Sequence, residues 1–283
     1  MSSTQSATGP LHVTKQDSQV SSRDGTLLHI TRWQAPNQHA NLLIVHGYSE
    51  YGQRYRELAH ALAEYGISST AVDLRGHGKS QGQRGHVMNF DEYLEDIDAA
   101  FATLPTDQPI FILGHSNGGL AVLSYVTSRK PKIAGTIVTN PFLGLALKAP
   151  AIKLWFGKMA GRLAPKLSIA NDLTGTNLTR DPVKRDEYLT DREIFHVVNT
   201  RWFTEATARQ DEMNALTSFP SPLLFIYSNT DPVASPTASQ ALAEKIGTKI
   251  IRREGELHEI LNEIKRTEVY QSIGTWIQQA IAI

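Results

Sequence analysis

The sequence predicts an α/β fold, with a mostly parallel central sheet, helices on both faces and a helical cap inserted after the sixth strand. Three observations carry that reading. Short apolar runs alternate with amphipathic stretches of helical spacing. A Gly114-His115-Ser116-Asn117-Gly118 turn joins one such run to a helix. The alternation then stops between Pro141 and about Phe219 before resuming.

Composition sets the outer bounds. At 283 residues with a hydrophobic share of 41%, the chain can bury one large core. This predicts an α/β core from residues 1–140 and 220–283, interrupted by the cap at 141–219, with residues 1–10 small, polar and frayed. Lys plus Arg and Asp plus Glu number 28 each, so no global field recruits nucleic acid or an anionic membrane, and any such attraction must be local. There is no cysteine, which excludes disulfides, thiol nucleophiles and Cys-based metal sites. The start lacks a basic segment followed by an apolar one, and no later run approaches a membrane span, so a cytoplasmic protein is the expectation.

In chain order, Val13 to Val20 and Thr26 to Trp33 alternate weakly and are joined by Arg23-Asp24-Gly25, a turn that pairs them as antiparallel strands at a sheet edge. Leu42-Leu43-Ile44-Val45 is continuously apolar, as a parallel strand covered on both faces must be, and it runs into His46-Gly47-Tyr48. Arg54 to Tyr65 puts Tyr55, Leu58, Ala59 and Leu62 on one face, a helix that Gly66 stops. A strand at Ile67 to Val72, a helix over 91–103, a strand at Ile110 to Leu113 and a helix from Leu120 to Ser128 follow. Ile133 to Val138 is the next strand, closed by Asn140-Pro141. After the break come a strand at Leu223 to Tyr227, a helix from about Pro236 to Ile246, a strand at Thr248 to Arg252 and a helix from about Glu263 to Ile281.

The chemistry starts at Ser116. A strand that stops at Gly114 and a helix that begins beyond Ser116 make a sharp turn, whose crowded backbone excludes side chains at 114 and 118 and exposes a strained serine. The same turn puts the backbone N–H of Asn117 at a helix N-terminus, aimed where an oxyanion would form. A serine hydroxyl is a weak nucleophile and needs a base, which this turn recruits in the chain order Ser, acid, His. Downstream of Ser116 only His196 and His258 are available. His196 lies in the cap, ahead of any later sheet strand, whereas His258 follows the last strand and is therefore the base. Asp231, three residues after Ser228 at a strand end, is the acid. The second oxyanion donor belongs on the loop after Val45, where the backbone N–H of Tyr48 is the candidate, although His-Gly-Tyr fixes the position only to within one residue. His46 and His115 lie in the tight turns themselves and read as structural.

Two decoys fail. Gly78-Lys79-Ser80 ends like a phosphate-binding loop, but that motif needs glycine at 73, where Asp73 stands, and a dinucleotide reading of Gly76-x-Gly78 needs glycine at 81, where Gln81 stands. His77, His86 and Asp73 have no metal-ligand spacing and read as satisfying loop backbone groups. Neither a metal nor a cofactor is expected.

The motifs together are distinctive: His46-Gly47-Tyr48-Ser49-Glu50 with Arg54-Tyr55, Asp73-x-Arg75-Gly76-His77-Gly78-x-Ser80-x-Gly82, Gly114-His115-Ser116-Asn117-Gly118-Gly119, Asp231, and His258 with Asn262-Glu263. The chain resembles an α/β-hydrolase of the monoacylglycerol lipase and lysophospholipase group over about residues 20–283, where Leu163-Ala-Pro-Lys-Leu-Ser and Leu178-Thr-Arg-Asp are similar to that group's cap. The resemblance implies a Ser116, Asp231, His258 triad, oxyanion donors at Tyr48 and Asn117, and a carboxylic ester of a long acyl chain as substrate. Asn117 departs from the group, many of whose members carry Met there. The resemblance implies a role for the backbone N–H alone, so the departure is expected to bear on pocket shape rather than on catalysis.

The leading expectation is thus a serine hydrolase that cleaves monoacylglycerols or lysophospholipids through an acyl-enzyme. The alternatives are a general carboxylesterase and an aminopeptidase, which would need carboxylates converging from the cap. Asp186, Glu187, Glu193 and Glu205 are available, but their polar stretch is more simply a solvated surface. A non-catalytic scaffold would have lost a triad member, and a dehalogenase would carry Asp in place of Ser116. The expected partner is a small-molecule lipid ester, with no nucleic acid, and composition leaves the oligomeric state open.

From Phe142 to Asn171 the cap carries five basic residues, Lys148, Lys153, Lys158, Arg162 and Lys166, and no acid. Ile152, Trp155, Phe156, Met159 and Leu163 fall on one helical face behind Pro150. Two readings of that face stay open. Either it packs down on the body, or Ile152, Trp155, Phe156 and Met159 bind the acyl chain while the cap touches a membrane surface transiently, placing the protein peripherally at the membrane.

Overall fold

The structure is a computed structural model that describes residues 12–146, 161, 163–171 and 173–282. In chain order the elements are β1 (Thr14–Ser21), β2 (Leu27–Gln34), β3 (Ala40–Val45), α1 (Arg56–Ala63), β4 (Ile67–Val72), α2 (Asp91–Phe101), β5 (Ile110–His115), α3 (Asn117–Arg129) and β6 (Gly135–Thr139). Between β6 and β9 come β7 (Ser168–Ala170), α4 (Gly175–Leu178), α5 (Pro182–Thr190), β8 (Val197–Asn199) and α6 (Thr200–Asn214). The chain closes with β9 (Leu223–Ser228), α7 (Pro236–Lys245), β10 (Lys249–Arg253) and α8 (Arg266–Ile281).

Among the described residues, eight strands form one sheet in the order β1-β2-β4-β3-β5-β6-β9-β10. From β4 to β10 every neighbouring pair is parallel, while β2 runs antiparallel to both β1 and β4. The reason is legible in β3. Leu42 and Ile44 point to one face, where α1 and α8 cover them, and Leu43 and Val45 point to the other, under α2 and α3. A strand covered on both faces cannot alternate with polar residues, and each aliphatic side chain buried this way contributes about 1.5–3 kcal/mol. By contrast β1 is an exposed edge carrying Lys15 and Asp17, and such charges discourage pairing with a further strand.

Boundaries differ from the sequence expectation by a few residues. The stretch expected as one helix from Arg54 opens instead as a 3₁₀ turn, Gly52–Tyr55, because the carboxylate of Asp73 accepts the Gly52 N–H at 2.7 Å and holds that end against β4. Gly66 ends the helical stretch with φ 70°, as expected of a helix stop.

Between β6 and β9 the chain leaves the main sheet. The polar stretch after residue 171 folds into α4 and α5, and β7 pairs with β8 as a three-residue antiparallel ladder that composition conceals. No helix among the described residues is long and apolar enough to cross a membrane.

Candidate active site

The turn after β5 has the crowding expected of it. A Cβ at Gly118 would lie 2.2 Å from the Val45 carbonyl oxygen, and one at Gly114 would lie 2.3 Å from that of Gly118, so both positions exclude any side chain. Between them Ser116 adopts φ 51° and ψ −117°, a conformation that costs about 1–3 kcal/mol and persists because both flanks are pinned. Its N–H donates to the Thr139 carbonyl at the end of β6 at 3.0 Å, and its carbonyl accepts from Leu120 inside α3 at 3.1 Å.

Two later loops meet this serine. Asp231 follows β9, and its Oδ1 accepts the backbone N–H groups of Val233 at 2.7 Å and Ala234 at 3.0 Å. Its Oδ2 lies 2.7 Å from His258 Nδ1, on the loop after β10, and His258 Nε2 lies 2.8 Å from Ser116 Oγ. A carboxylate can only accept, so the imidazole proton sits on Nδ1 and leaves Nε2 free to accept from the serine hydroxyl. All three residues are buried. His196, the other downstream histidine, packs edge-on against Tyr188 with ring centroids 5.2 Å apart.

Burial disfavours a charged His258, but the Asp231 carboxylate bonded to it outweighs that, with Glu259 and Glu50 adding to the effect, and the pKa is raised from 6.5. His115, whose ring centroid is 5.1 Å from that of His258, goes the other way because burial dominates there. It faces the carbonyl and hydroxyl of Thr139, and His46 receives the Leu74 N–H at 3.0 Å, so both rings serve the scaffold. Of the loop residues set aside as decoys, Asp73 accepts the N–H groups of Gly52 and Lys79, and His77 Nδ1 faces the Arg75 carbonyl. His86 faces the Asn199 side chain. No cluster of His, Cys, Asp or Glu suited to a metal occurs among the described residues.

Sequence reasoning named Glu50 and Arg54 only as motif letters and missed what they do. The Glu50 carboxylate accepts the Gly47 N–H at 2.7 Å and the Tyr55 hydroxyl at 2.9 Å, bracing a loop in which Ser49 has φ 68°. Arg54 bonds Glu50 at 3.0 Å and grips both oxygens of Glu259 at 2.7 Å. Although burial raises the pKa of Glu259, Arg54 more than offsets it and holds that carboxyl well below its ordinary range. With the Gly47 N–H occupied, the neighbouring N–H of Tyr48 remains, and neither it nor that of Asn117 donates to another group among the described residues. Asn140 was also missed. Its amide donates to the His258 carbonyl at 2.6 Å and accepts from Ser228 N–H at 2.7 Å, tying the His258 loop to the ends of β6 and β9. An Asn before Pro at a strand end was the available signal.

Ser116 and His258 open onto a cavity of about 320 Å³ whose apolar wall includes Phe142, Leu145, Leu178, Val198, Trp202 and Val233. Ile152, Trp155, Phe156 and Met159, expected to bind substrate, lie outside the described residues, as do Lys148, Pro150, Lys153, Lys158 and Arg162. Trp202 could have been found from spacing, since Trp202, Ala206, Gln210 and Met213 form the buried stripe of α6. Asp186, Glu187, Glu193 and Glu205 do not line the cavity, and Glu187, Glu193 and Glu205 pair with Lys184, Arg84 and Arg201.

The family model described as serine aminopeptidase, S33, matches residues 36–265. The chain belongs to this family of α/β-hydrolases. It is 31% identical to phospholipase YtpA of Bacillus subtilis over 258 residues, covering 88% of this chain and 99% of that one. An abhydrolase domain-containing protein of Dictyostelium discoideum is 33% identical over 248 residues, covering 86% of this chain, which spans 26% of that longer protein. Among solved structures, the monoacylglycerol lipase of Paleococcus ferrophilus superposes with a TM-score of 0.82 at 28% identity, covering 89% of this chain and 99% of that one. The α/β-hydrolase described above is accordingly monoacylglycerol lipase-like, and an enzyme of the serine ester hydrolase class.

Proposed function

We propose that the enzyme hydrolyses carboxylic esters of long-chain acyl groups, monoacylglycerols or lysophospholipids, through an acyl-enzyme. Ser116 Oγ attacks the ester carbonyl as His258 Nε2 takes its proton, and Asp231 holds the imidazole in the required tautomer. The backbone N–H groups of Tyr48 and Asn117 receive the oxyanion. His258 then returns its proton to the leaving alcohol, and a water activated by the same nitrogen releases the fatty acid. One observation carries this reading: a hydrogen-bonded serine, histidine and aspartate open onto an apolar cavity large enough for an alkyl chain. The described part of the segment 141–219 acts as a cap, contributing Phe142, Leu145, Leu178, Val198 and Trp202 to the cavity wall. Leu163 and Leu167 on it are exposed, which supports transient contact with a lipid surface.

The family's description raises the aminopeptidase reading again. A substrate ammonium group needs an uncommitted carboxylate near the nucleophile. Among the described residues, the carboxylates lining the cavity wall are Glu50 and Glu259, and Arg54 already engages both. Ester hydrolysis is therefore favoured. Turnover of a panel containing monoacylglycerols, lysophospholipids, short soluble esters and aminoacyl amides tests it. Each buried CH₂ adds about 0.8 kcal/mol, so kcat/KM should rise about fourfold per carbon until the cavity is full. Faster cleavage of the amides, or no dependence on chain length, would overturn the proposal.

A further inference from the structure

We infer that Trp202 on α6 is a positioning residue for the oxyanion hole, acting through Tyr48 and Asn117. The inference rests on the ester hydrolase reading above and adds to it a physical link between cap and catalytic turn. The indole N–H of Trp202 donates to Asn117 Oδ1 at 3.1 Å. The same ring stacks on that of Tyr48, with centroids 3.7 Å apart and planes at 25°. One side chain thus touches both residues whose N–H groups would receive the oxyanion. Neighbouring contacts tighten the arrangement. The Tyr48 hydroxyl accepts the N–H of Asn199, at the start of the same helix, and donates to the Gly85 carbonyl, both at 3.0 Å. Phe142 stacks on Trp202 with planes at 14°, donates its N–H to the Ser116 carbonyl at 2.9 Å, and accepts from Gln210 on α6 at 2.9 Å.

A tryptophan serving only as core filler would need no partner from the nucleophile turn. Here an indole N–H, which can only donate, dictates the orientation of the Asn117 amide, and the buried Asn117 Nδ2 is left with no acceptor among the described residues. Such an orphaned donor is unfavourable, so keeping the Trp202 bond comes at the expense of the amide's other end. Any displacement of α6 along this stack shifts the Tyr48 loop and the first residue of α3, and with them the donors on which stabilisation of the tetrahedral intermediate depends.

The test uses the whole enzyme with an acetate ester, whose acyl group is too short to depend on the cavity wall, and with a long-chain monoester. Trp202→Phe keeps the stacking and deletes the N–H. It should lower kcat on the acetate ester about tenfold with KM within about twofold, and weaken binding of a short trifluoromethyl ketone, which adds Ser116 to form an oxyanion, by the same factor. Asn117→Leu retains its backbone N–H and should show the same loss, and the double variant should lose no more than either single one. Thermal midpoints accompany each variant, so that should one fail to fold, the other single variant supplies the same comparison. Unchanged acetate turnover and ketone binding in Trp202→Phe, or a rise in KM confined to the long-chain ester, would make Trp202 a wall of the acyl site and overturn the inference while leaving the hydrolase reading intact. If the unmodified enzyme cleaved no ester at all, the hydrolase reading itself would fall.

Discussion

Replacing Asp231 by Asn tests the geometry of the site with little change of shape. In the native enzyme Oδ1 receives two backbone N–H groups, from Val233 and Ala234, and Oδ2 receives His258 Nδ1–H at 2.7 Å. The asparagine oxygen must stay against the two N–H groups, because an amide nitrogen there would set donor against donor. Its NH₂ then faces His258 Nδ1, which can only respond by accepting, and the imidazole proton moves to Nε2. That proton points at Ser116 Oγ, 2.8 Å away, so the serine has nowhere to send its own. A wrong tautomer in such a triad costs about 10⁴-fold in kcat, equivalent to about 5.4 kcal/mol, whereas His258→Ala should cost about 10⁶-fold. The change also removes the strongest influence holding the His258 pKa up, so burial takes over and the pKa should drop below 6.5. Residual turnover should therefore level off at lower pH than in the native enzyme. The assay is kcat on a soluble ester across pH, with thermal melting to verify folding. A loss smaller than about tenfold, or His196→Ala proving as damaging as His258→Ala, would refute the reasoning.

Ser116→Ala should cut turnover at least about a thousandfold and abolish labelling by a phosphonate ester, with mass spectrometry of the labelled peptide as the readout, and a label found on another residue would remove Ser116 from the mechanism. In the native enzyme His258 must be neutral to accept a proton, and its pKa is raised, so acylation should reach half its maximal rate above pH 6.5. The same shift affects stability with a defined sign. A histidine whose folded pKa exceeds its unfolded value contributes stability fully below the unfolded pKa and loses it as pH rises through the folded one. The gap in thermal midpoint between the native protein and His258→Gln should accordingly be widest on the acid side of pH 6.5 and close above the folded pKa, and a gap that widened with rising pH would contradict the direction of the shift.

The parts of this protein that the sequence announces are those with a local physical signature. The two-sided burial of β3 leaves no polar residue at 42–45, and the close approach of Gly118 to Val45 permits no side chain, so both are written into residue identity. The chain order of Ser116, Asp231 and His258 follows from strand ends and could be argued without contacts. Other features depend on pairs far apart in sequence. Glu50 braces Gly47 in a way its neighbours do not reveal, and Arg54 meets Glu259 only because the loop after β10 returns over α1. Asn140 reads as an ordinary strand terminator until the His258 carbonyl is seen against it. The segment between β6 and β9 was the least legible, for its β7 and β8 are three residues each, too short for periodicity, and its polar helices bury only a few apolar residues, such as Leu178 and Tyr188, beside ion pairs such as Lys184 with Glu57.

The same long-range pairs explain how two histidines 5 Å apart take different roles. Among the described residues, the carboxylates of Asp231, Glu50 and Glu259 lie near His258, with the guanidinium of Arg54 pairing the latter two. Their negative charge favours the imidazolium that would form in the proposed mechanism when Ser116 gives up its proton. His115 feels the same carboxylates, but its hydrogen-bond partners are the neutral carbonyl and hydroxyl of Thr139, and burial outweighs the carboxylates and lowers its pKa. Were it protonated, it would oppose the charge on His258. Environments that push neighbouring pKa values apart assign roles to chemically identical groups. Arg54 completes the arrangement from beneath. Without it Glu50 and Glu259 would be two buried carboxylates lacking their counter-ion. Glu50 presents one oxygen to Gly47 and Tyr55 and the other to Arg54. The guanidinium thus links the electrostatics of the base to the shape of the loop that carries Tyr48, although it is not itself among the residues that line the cavity.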